Sequence, residues 1–132
     1  MPAQHHIDND ARLIITTWQG EAQDIDFIEA LKKYQDDIQY HPDYINYNEL
    51  VNLKEITNIK LTTNGLINIG KIASSTDHNE IGRKLAIVVG SNKAYFLARM
   101  YKVYRSLSQN SCKHISIFTK ENEAIQWLQK ST

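Results

Sequence analysis

Residues 84–107 read KLAIVVGSNKAYFLARMYKVYRSL, and this stretch decides the fold. It opens with the unbroken apolar run Leu85–Val89, which is typical of a strand covered on both faces. Gly90–Lys93 then forms a tight turn that leads into a helix. At about 100° per residue, the large apolar side chains of this helix fill one arc, which we predict to be buried. That arc contains Val103, Phe96, Leu107, Met100, Tyr104, Leu97 and Tyr101, and the opposite arc contains Arg99, Lys102, Arg105 and Ser106.

Upstream of this unit, strands and helices alternate in the same way. Residues 11–18 form a strand that pairs, through an Asx-rich turn, with a short polar edge strand before it. Asp24 caps a helix that ends before Pro42. The next strand covers residues 47–53, with Leu50 on one face and Glu49, Val51 and Leu53 on the other. Residues 54–61 connect this strand to a helix. That helix runs from Thr62 or Thr63 to about residue 74. The first helix has its apolar positions at Phe27, Leu31, Tyr34 and Ile38.

Downstream, residues 113–119 form the last strand, and Thr119 caps a final helix. The order of elements is therefore ββαβαβαβα. This alternation predicts an α/β fold, with a mostly parallel mixed sheet, an antiparallel N-terminal edge strand and helices packed on the sheet. If most helices lie on one face, the class is α+β. We expect residues 1–132 to form a single domain.

Composition narrows the possible classes of function. Fifteen basic and fifteen acidic residues give zero net charge, whereas a nucleic-acid-binding protein usually shows a basic excess or a basic stripe. The sequence lacks an apolar run of the roughly 20 residues that a transmembrane helix requires, and it begins without a signal-peptide pattern. The single cysteine, Cys112, fits a reducing compartment, so we expect a cytoplasmic protein. Zero net charge also favours self-association, for example as a homodimer.

Three segments carry a family resemblance. They are LAIVVGSNKAYFLARMY (85–101), HPDY (41–44) before ELVNL (49–53), and the closing IFTKENEAIQWL (117–128). Together they resemble the SpoIIAA-like group of small bacterial proteins, part of the wider STAS fold (sulphate transporter and anti-sigma-factor antagonist). The likeness extends from about Ala11 to Leu128. It implies a non-enzymatic regulatory or protein-interaction module without a cofactor.

The resemblance also indicates a position for a regulatory site. Anti-sigma antagonists of this group carry a phosphorylatable serine in an Asp-Ser-Ser-Gly-like segment, and the matching stretch here is Thr62-Thr63-Asn64-Gly65. Asn64 stands at the phosphoacceptor position and cannot be phosphorylated. Thr63 either accepts a phosphate one residue earlier or serves as a helix cap.

A second candidate loop is Gly90-Ser91-Asn92-Lys93, which offers backbone N–H groups at a helix N-terminus and one cation. The carboxyl ends of parallel strands share one rim, where ligands often bind. The alternative function is therefore a sensor of a small ligand, nucleotide or lipid that uses this loop together with residues 62–65. Neither a P-loop nor a Rossmann fingerprint is present, so each loop can equally be an ordinary turn.

The sequence contains no constellation that predicts catalysis or a metal site. His5 and His6 are adjacent in a strand and face opposite ways, and His41, His78 and His114 lack partners at ligand spacing. Cys112 has no cysteine-hydrolase signature around it, although an enzyme that uses this thiol is a third hypothesis. We therefore predict that the chain is not an enzyme.

The tyrosines suggest how a protein partner could bind. Tyr95, Tyr101 and Tyr104, with Arg99 beside them, cluster on the helix that follows the strand at 85–89. Tyrosine offers a large contact area with few rotatable bonds, so these residues are either the edge of the core or the anchors of an interface.

Overall fold

The computed structural model describes residues 2–74, 83–106 and 114–130. Within these ranges the chain forms one five-stranded sheet, four α-helices and a short 3₁₀ helix at Pro42–Asn46. The strands are β1 (Ala3–Asp8), β2 (Leu13–Gln23), β3 (Asn48–Lys60), β4 (Lys84–Val88) and β5 (His114–Phe118). The α-helices are α1 (Asp24–Tyr40), α2 (Thr63–Ser74), α3 (Asn92–Ser106) and α4 (Glu121–Gln129).

The sheet has the simplest possible strand order, β1-β2-β3-β4-β5. β1 is antiparallel to β2, and every other neighbouring pair is parallel. Each crossover moves one strand in the same direction, so right-handed connections put α1, α2 and α3 on one face. α4 follows the last strand and packs on the other face, against β3, β4 and β5. The predicted order of elements and the antiparallel edge are confirmed.

β4 is buried on both faces, as its apolar run predicts. Leu85, Ile87 and Val89 belong to the core under α1–α3. Ala86 and Val88 point the other way, into the core under α4. Because β4 lies between β3 and β5, its backbone groups are paired on both sides as well.

The face that α3 buries matches the predicted one only in part, because Leu97 and Tyr101 turn inward whereas the centre of the predicted arc faces solvent. Ala94, Ala98 and Arg105 are buried, whereas Phe96 and Val103 are 62% and 56% exposed. Two arcs of this helix have helical spacing, and periodicity alone does not distinguish them. The arc with small alanines packs inward, and Arg105 at its end donates from Nη1 to Ser74 Oγ at 3.2 Å. Leu107 lies outside the described residues.

β2 and β3 are both longer than predicted. Residues 19–23 of β2 pair with residues 55–60 of β3, which the sequence pattern had indicated as a connection. This two-stranded extension reaches beyond the end of β4, whose pairing with β3 stops at Asn52. Its register shifts twice, and Gly20 has a left-handed φ of 73° within it. The irregular register hides the alternation that would identify a strand in the sequence.

Two helix starts lie one residue away from their predicted caps. α1 is capped by Gln23, whose backbone N–H donates to Asp26 Oδ2 at 2.9 Å, and Asp24 is the first helical residue. α4 is capped by Lys120 and not by Thr119. None of the helices in the described ranges is long and apolar enough to cross a membrane.

Candidate functional site

A cavity of about 150 Å³ lies between the inner face of the sheet and helices α1, α2 and α3. β2, β3 and β4 contribute one wall of this cavity, and the three helices contribute the other. Most of its lining is aliphatic or aromatic. The apolar lining residues are Trp18, Phe27, Ala30, Leu31, Val51, Leu53, Ile59, Leu61, Leu66, Ile69, Leu85, Ile87, Leu97, Ala98 and Tyr101.

Four polar residues line one end of the same cavity: His5, Thr16, Tyr34 and Glu49. His5 of β1 lies opposite Thr16 of β2 in the antiparallel pair, and Thr16 lies beside Val51 of β3. Glu49 is two residues before Val51, so it shares the inner face of β3. The polar end is therefore assembled by strand register from three neighbouring strands, with Tyr34 facing them from α1.

Glu49 takes part in a buried ion pair. Arg83 Nη2 lies 3.1 Å from Glu49 Oε1, and the Tyr34 hydroxyl donates to the same oxygen. Arg83 Nε donates to the backbone carbonyl of Tyr47, and its guanidinium lies 5.8 Å from the centre of the Tyr34 ring. Arg83 immediately precedes β4, which brings its side chain beside the first residues of β3. Within this pair the two opposite charges offset each other.

His5 is held by two hydrogen bonds. Its Nδ1 lies 2.8 Å from Thr16 Oγ1, and its Nε2 lies 3.2 Å from the Ala30 carbonyl oxygen of α1. Burial lowers the pKa of His5 below its ordinary value of 6.5 and outweighs the opposing effect of the Ala30 carbonyl. The charges of Asp37 and Glu49 raise this pKa, and that of Lys33 lowers it.

The segment 62–65, predicted as a regulatory loop, forms a capped helix start. Thr62 Oγ1 accepts from the Gly65 N–H at 2.9 Å and donates to Asp24 Oδ2 at 2.6 Å, and the Thr62 N–H donates to Asp24 Oδ1. A residue larger than glycine does not fit at position 65, because the Asp24 carboxylate occupies the position that a Cβ would take. Thr62 is thus the cap, and Thr63 and Asn64 lie exposed in the first turn of α2.

The second predicted loop also starts a helix. Ser91 Oγ accepts from the Ala94 N–H at 3.1 Å, and Asn92 and Lys93 are exposed in the first turn. A Cβ on Gly90 would lie 3.2 Å from the Lys54 carbonyl oxygen, so Gly90 packs against the middle of β3.

The structure does not bring these two loops together. Gly90 lies beside Lys54, whereas Thr62 follows eight residues later in the chain, after the end of β3. At 3.3 Å per residue, the six residues from Lys54 to the end of β3 at Lys60 span roughly 20 Å along the strand direction. The β2–β3 extension therefore separates the two loops along the expected shared rim, and a site that uses both of them stays a prediction.

The predicted partner surface on α3 is divided between two faces. Tyr95 is 43% exposed and Arg99 lies 5.9 Å from the centre of its ring, so both face outward. Tyr101 turns inward and lines the cavity. Tyr104 is half-buried, with its Cβ near Gly70 of α2. The outer face of α3 is instead a surface groove lined by Phe96, Arg99, Met100, Val103 and Tyr104.

Among the residues that the structure describes, no three His, Cys, Asp or Glu side chains are grouped as metal ligands would be. His5 turns inward, and His6 is exposed. Cys112 and His78 lie outside the described ranges.

The cavity itself was missed at the sequence level, because its walls come from elements far apart in the chain. A signal was nevertheless present at one position. Glu49 falls on the same strand face as Val51 and Leu53, and a carboxylate among inward-facing apolar residues indicates a buried polar partner. Thr16 and His5 carry no such signal, because their orientation depends on the hairpin register.

Comparison with known proteins places the fold. No protein-family model matches the chain, and no curated protein matches it. Among solved structures, it is similar to an uncharacterised protein of the DUF3478 family from Shewanella loihica PV-4 that has a SpoIIAA-like fold. The two superpose with a TM-score of 0.62 at 12% identity, over 96% of this chain and 91% of that one.

This chain has a SpoIIAA-like fold. The expectation that the sequence resemblance raised is thereby confirmed at the level of the fold. In this SpoIIAA-like fold the cavity lies under α1, α2 and α3, on the face opposite α4.

Proposed function

We propose that this chain is a non-enzymatic regulatory module of the bacterial cytoplasm that binds a small, largely apolar ligand in the cavity. The cavity is the observation that carries the proposal. Protein interiors are close-packed and leave few voids larger than a water molecule, whereas this one measures about 150 Å³. An engineered apolar cavity of about that size in another protein stays dry and binds benzene.

The hydrogen bonds of the polar end favour binding over catalysis. A general base must reach a proton of the substrate, and its carboxylate or imidazole must be available to accept it. Here Glu49 is paired with Arg83 and accepts from Tyr34, and both ring nitrogens of His5 are engaged. The bacterial neighbour in fold and the single cysteine support the cytoplasmic setting.

Fluorine NMR with fluorobenzene tests the proposal directly. We expect saturable binding to the wild-type protein and no binding to Ala98→Leu, because the larger side chain enters the cavity from α3. Val103→Leu is the matched control, since it enlarges an exposed side chain of the same helix and leaves the cavity unchanged. If the folded wild-type protein binds neither fluorobenzene nor para-fluorophenol, the cavity is not a ligand site and the proposal is wrong.

A second candidate function is supported by the outer face of α3. Phe96, Met100 and Val103 recur at intervals of four and three residues along a solvent-facing stripe, and Arg99 and Lys102 border it. An apolar stripe with a basic border fits a partner protein that presents apolar side chains beside carboxylates. The same border repels a second copy of this stripe, so a homodimer through this face is disfavoured.

The partner hypothesis is tested by combining one mutation with a change in ionic strength. A specific partner must be retained by the wild-type protein and lost both with Phe96→Ser and at high ionic strength, because the contact is apolar and charged. Retention that survives either change would contradict docking on this face. Self-association elsewhere on the molecule stays a prediction, which sedimentation velocity tests.

A further inference from the structure

The polar end of the cavity contains a hydrogen-bonded chain whose direction can be worked out. It runs from Thr16 of β2 through the imidazole of His5 to the carbonyl of Ala30 in α1, with distances of 2.8 Å and 3.2 Å. Thr16 is buried, and both it and His5 line the cavity. Within this series of hydrogen bonds, the role of each group as donor or acceptor fixes the role of the group beside it.

A backbone carbonyl only accepts, so the hydrogen of the neutral imidazole must be on Nε2, where it is donated to Ala30. A neutral imidazole carries one N–H, so Nδ1 is an acceptor. The hydrogen between His5 and Thr16 therefore belongs to the threonine hydroxyl. Burial, which disfavours the charged imidazolium, supports this neutral form.

The Thr16 hydroxyl consequently offers the cavity only lone pairs. Its single hydrogen is directed to His5, and within the described part of the chain the structure gives Thr16 Oγ1 no second hydrogen bond. Glu49, the next polar group along the lining, is also an acceptor, and Arg83 balances its charge. A polar end made of acceptors without net charge recognises a hydrogen-bond donor.

From this we infer, on the basis of the proposed function, that the cavity selects a compact uncharged molecule with one hydrogen-bond donor, of the phenol class. The donor is placed on Thr16 Oγ1, and the ring lies among the apolar side chains. A cavity of about 150 Å³ has room for one ring of benzene size. A hydrocarbon leaves the Thr16 lone pairs without a partner, and a carboxylate brings a charge toward Glu49 where Thr16 has no hydrogen to donate.

The test compares three probes of nearly equal shape by fluorine NMR on the full chain: para-fluorophenol, fluorobenzene and para-fluorobenzoate. At neutral pH we expect the phenol to bind about fivefold more tightly than fluorobenzene, the ratio expected for one net hydrogen bond. We expect no detectable binding of the benzoate. This comparison uses the wild-type protein alone, so it does not depend on any variant folding.

Variants then assign the preference to one oxygen atom. Thr16→Val keeps the shape and removes the hydroxyl, so the phenol should lose its preference over fluorobenzene. Thr16→Ser should retain the preference. Thr17→Val is the matched control, because this threonine follows in the same strand and points to the opposite face.

The outcomes separate this inference from the proposed function. Equal affinity for phenol and fluorobenzene, tight binding of the benzoate, or a preference that survives Thr16→Val in a folded variant overturns the inference and leaves the cavity as a ligand site. Failure of both fluorobenzene and the phenol to bind overturns the inference and the proposed function together.

Discussion

The buried ion pair between Glu49 and Arg83 should be a strongly coupled unit of stability. Arg83 is 3% exposed and its Nη2 lies 3.1 Å from Glu49 Oε1. Replacing either residue alone removes the opposite charge that lies 3.1 Å from the other in the interior. Such a loss is worth about 3–5 kcal/mol of unfolding free energy, so Arg83→Met and Glu49→Leu are each expected to destabilise by that amount.

The double variant should lose less unfolding free energy than the two single variants lose together. With both charges gone, the Tyr34 hydroxyl loses the Glu49 acceptor and the Tyr47 carbonyl loses the Arg83 donor. Each hydrogen bond lost in the interior costs about 1–3 kcal/mol, so we expect the double variant to lose about 2–6 kcal/mol. Two single losses add up to about 6–10 kcal/mol, so the middles of the two ranges, about 8 and about 4 kcal/mol, give a coupling free energy of about 4 kcal/mol.

Urea unfolding, followed by tryptophan fluorescence, measures all four species of this cycle. The exposed pair Lys60–Glu21, with 2.8 Å between Nζ and Oε1, is a control with the same charge types. Its coupling should be below about 1 kcal/mol, because both side chains are solvated. A Glu49–Arg83 coupling as small as that of the control would show that burial does not strengthen this pair, and the reasoning would be refuted.

Three further predictions concern separate positions. The pKa of His5 is lower in the folded state than in the unfolded state, so as pH falls the unfolded state is protonated before the folded state. The unfolding free energy should therefore decrease as pH drops below 6.5, with a slope of at most about 1.4 kcal/mol per pH unit. His5→Gln should remove this slope and His6→Gln should keep it; equal slopes in urea unfolding would contradict the assignment. Gly65→Ala should lower the midpoint of thermal unfolding, since its Cβ meets a carboxylate and overpacking costs about 1–3 kcal/mol. Gly70→Ala, whose Cβ meets only ordinary contacts, should raise the midpoint of thermal unfolding by the gain in helix propensity. A higher midpoint for both variants would show that Gly65 is not crowded. Phe96→Ser should change the unfolding free energy by less than about 0.5 kcal/mol because the side chain is 62% exposed, and a larger loss would place it in the core.

The order and type of the elements could be predicted because each has a strong local signal. The run Leu85–Val89 has no polar residue, and the intervals between Phe27 and Ile38 are helical. The length of β3 could not be predicted, since residues 54–60 gain their strand conformation from pairing with β2. Tertiary packing likewise determines which arc of α3 is buried, because the small side chains of Ala94 and Ala98 allow the helix to lie closer to the sheet.

The site was harder to predict than the fold for a related reason. Sequence patterns identify loops, and the loops at 62–65 and 90–93 turned out to be helix starts whose polar groups are largely used in capping. The cavity instead depends on the distance at which three helices settle on a sheet. Of the polar residues that line it, Glu49 carried a signal in the sequence and Thr16 and His5 did not, because their convergence follows from a hairpin register.

The two proposed functions are linked through α3. Ala98 and Tyr101 line the cavity, while Phe96 and Val103 form the outer stripe of the same helix. A ligand that shifts α3 therefore changes the surface offered to a partner. By thermodynamic linkage, the partner must change ligand affinity by the same factor. A partner affinity that is equal with and without fluorobenzene would show that α3 does not move, and the two activities would then be independent properties of one helix.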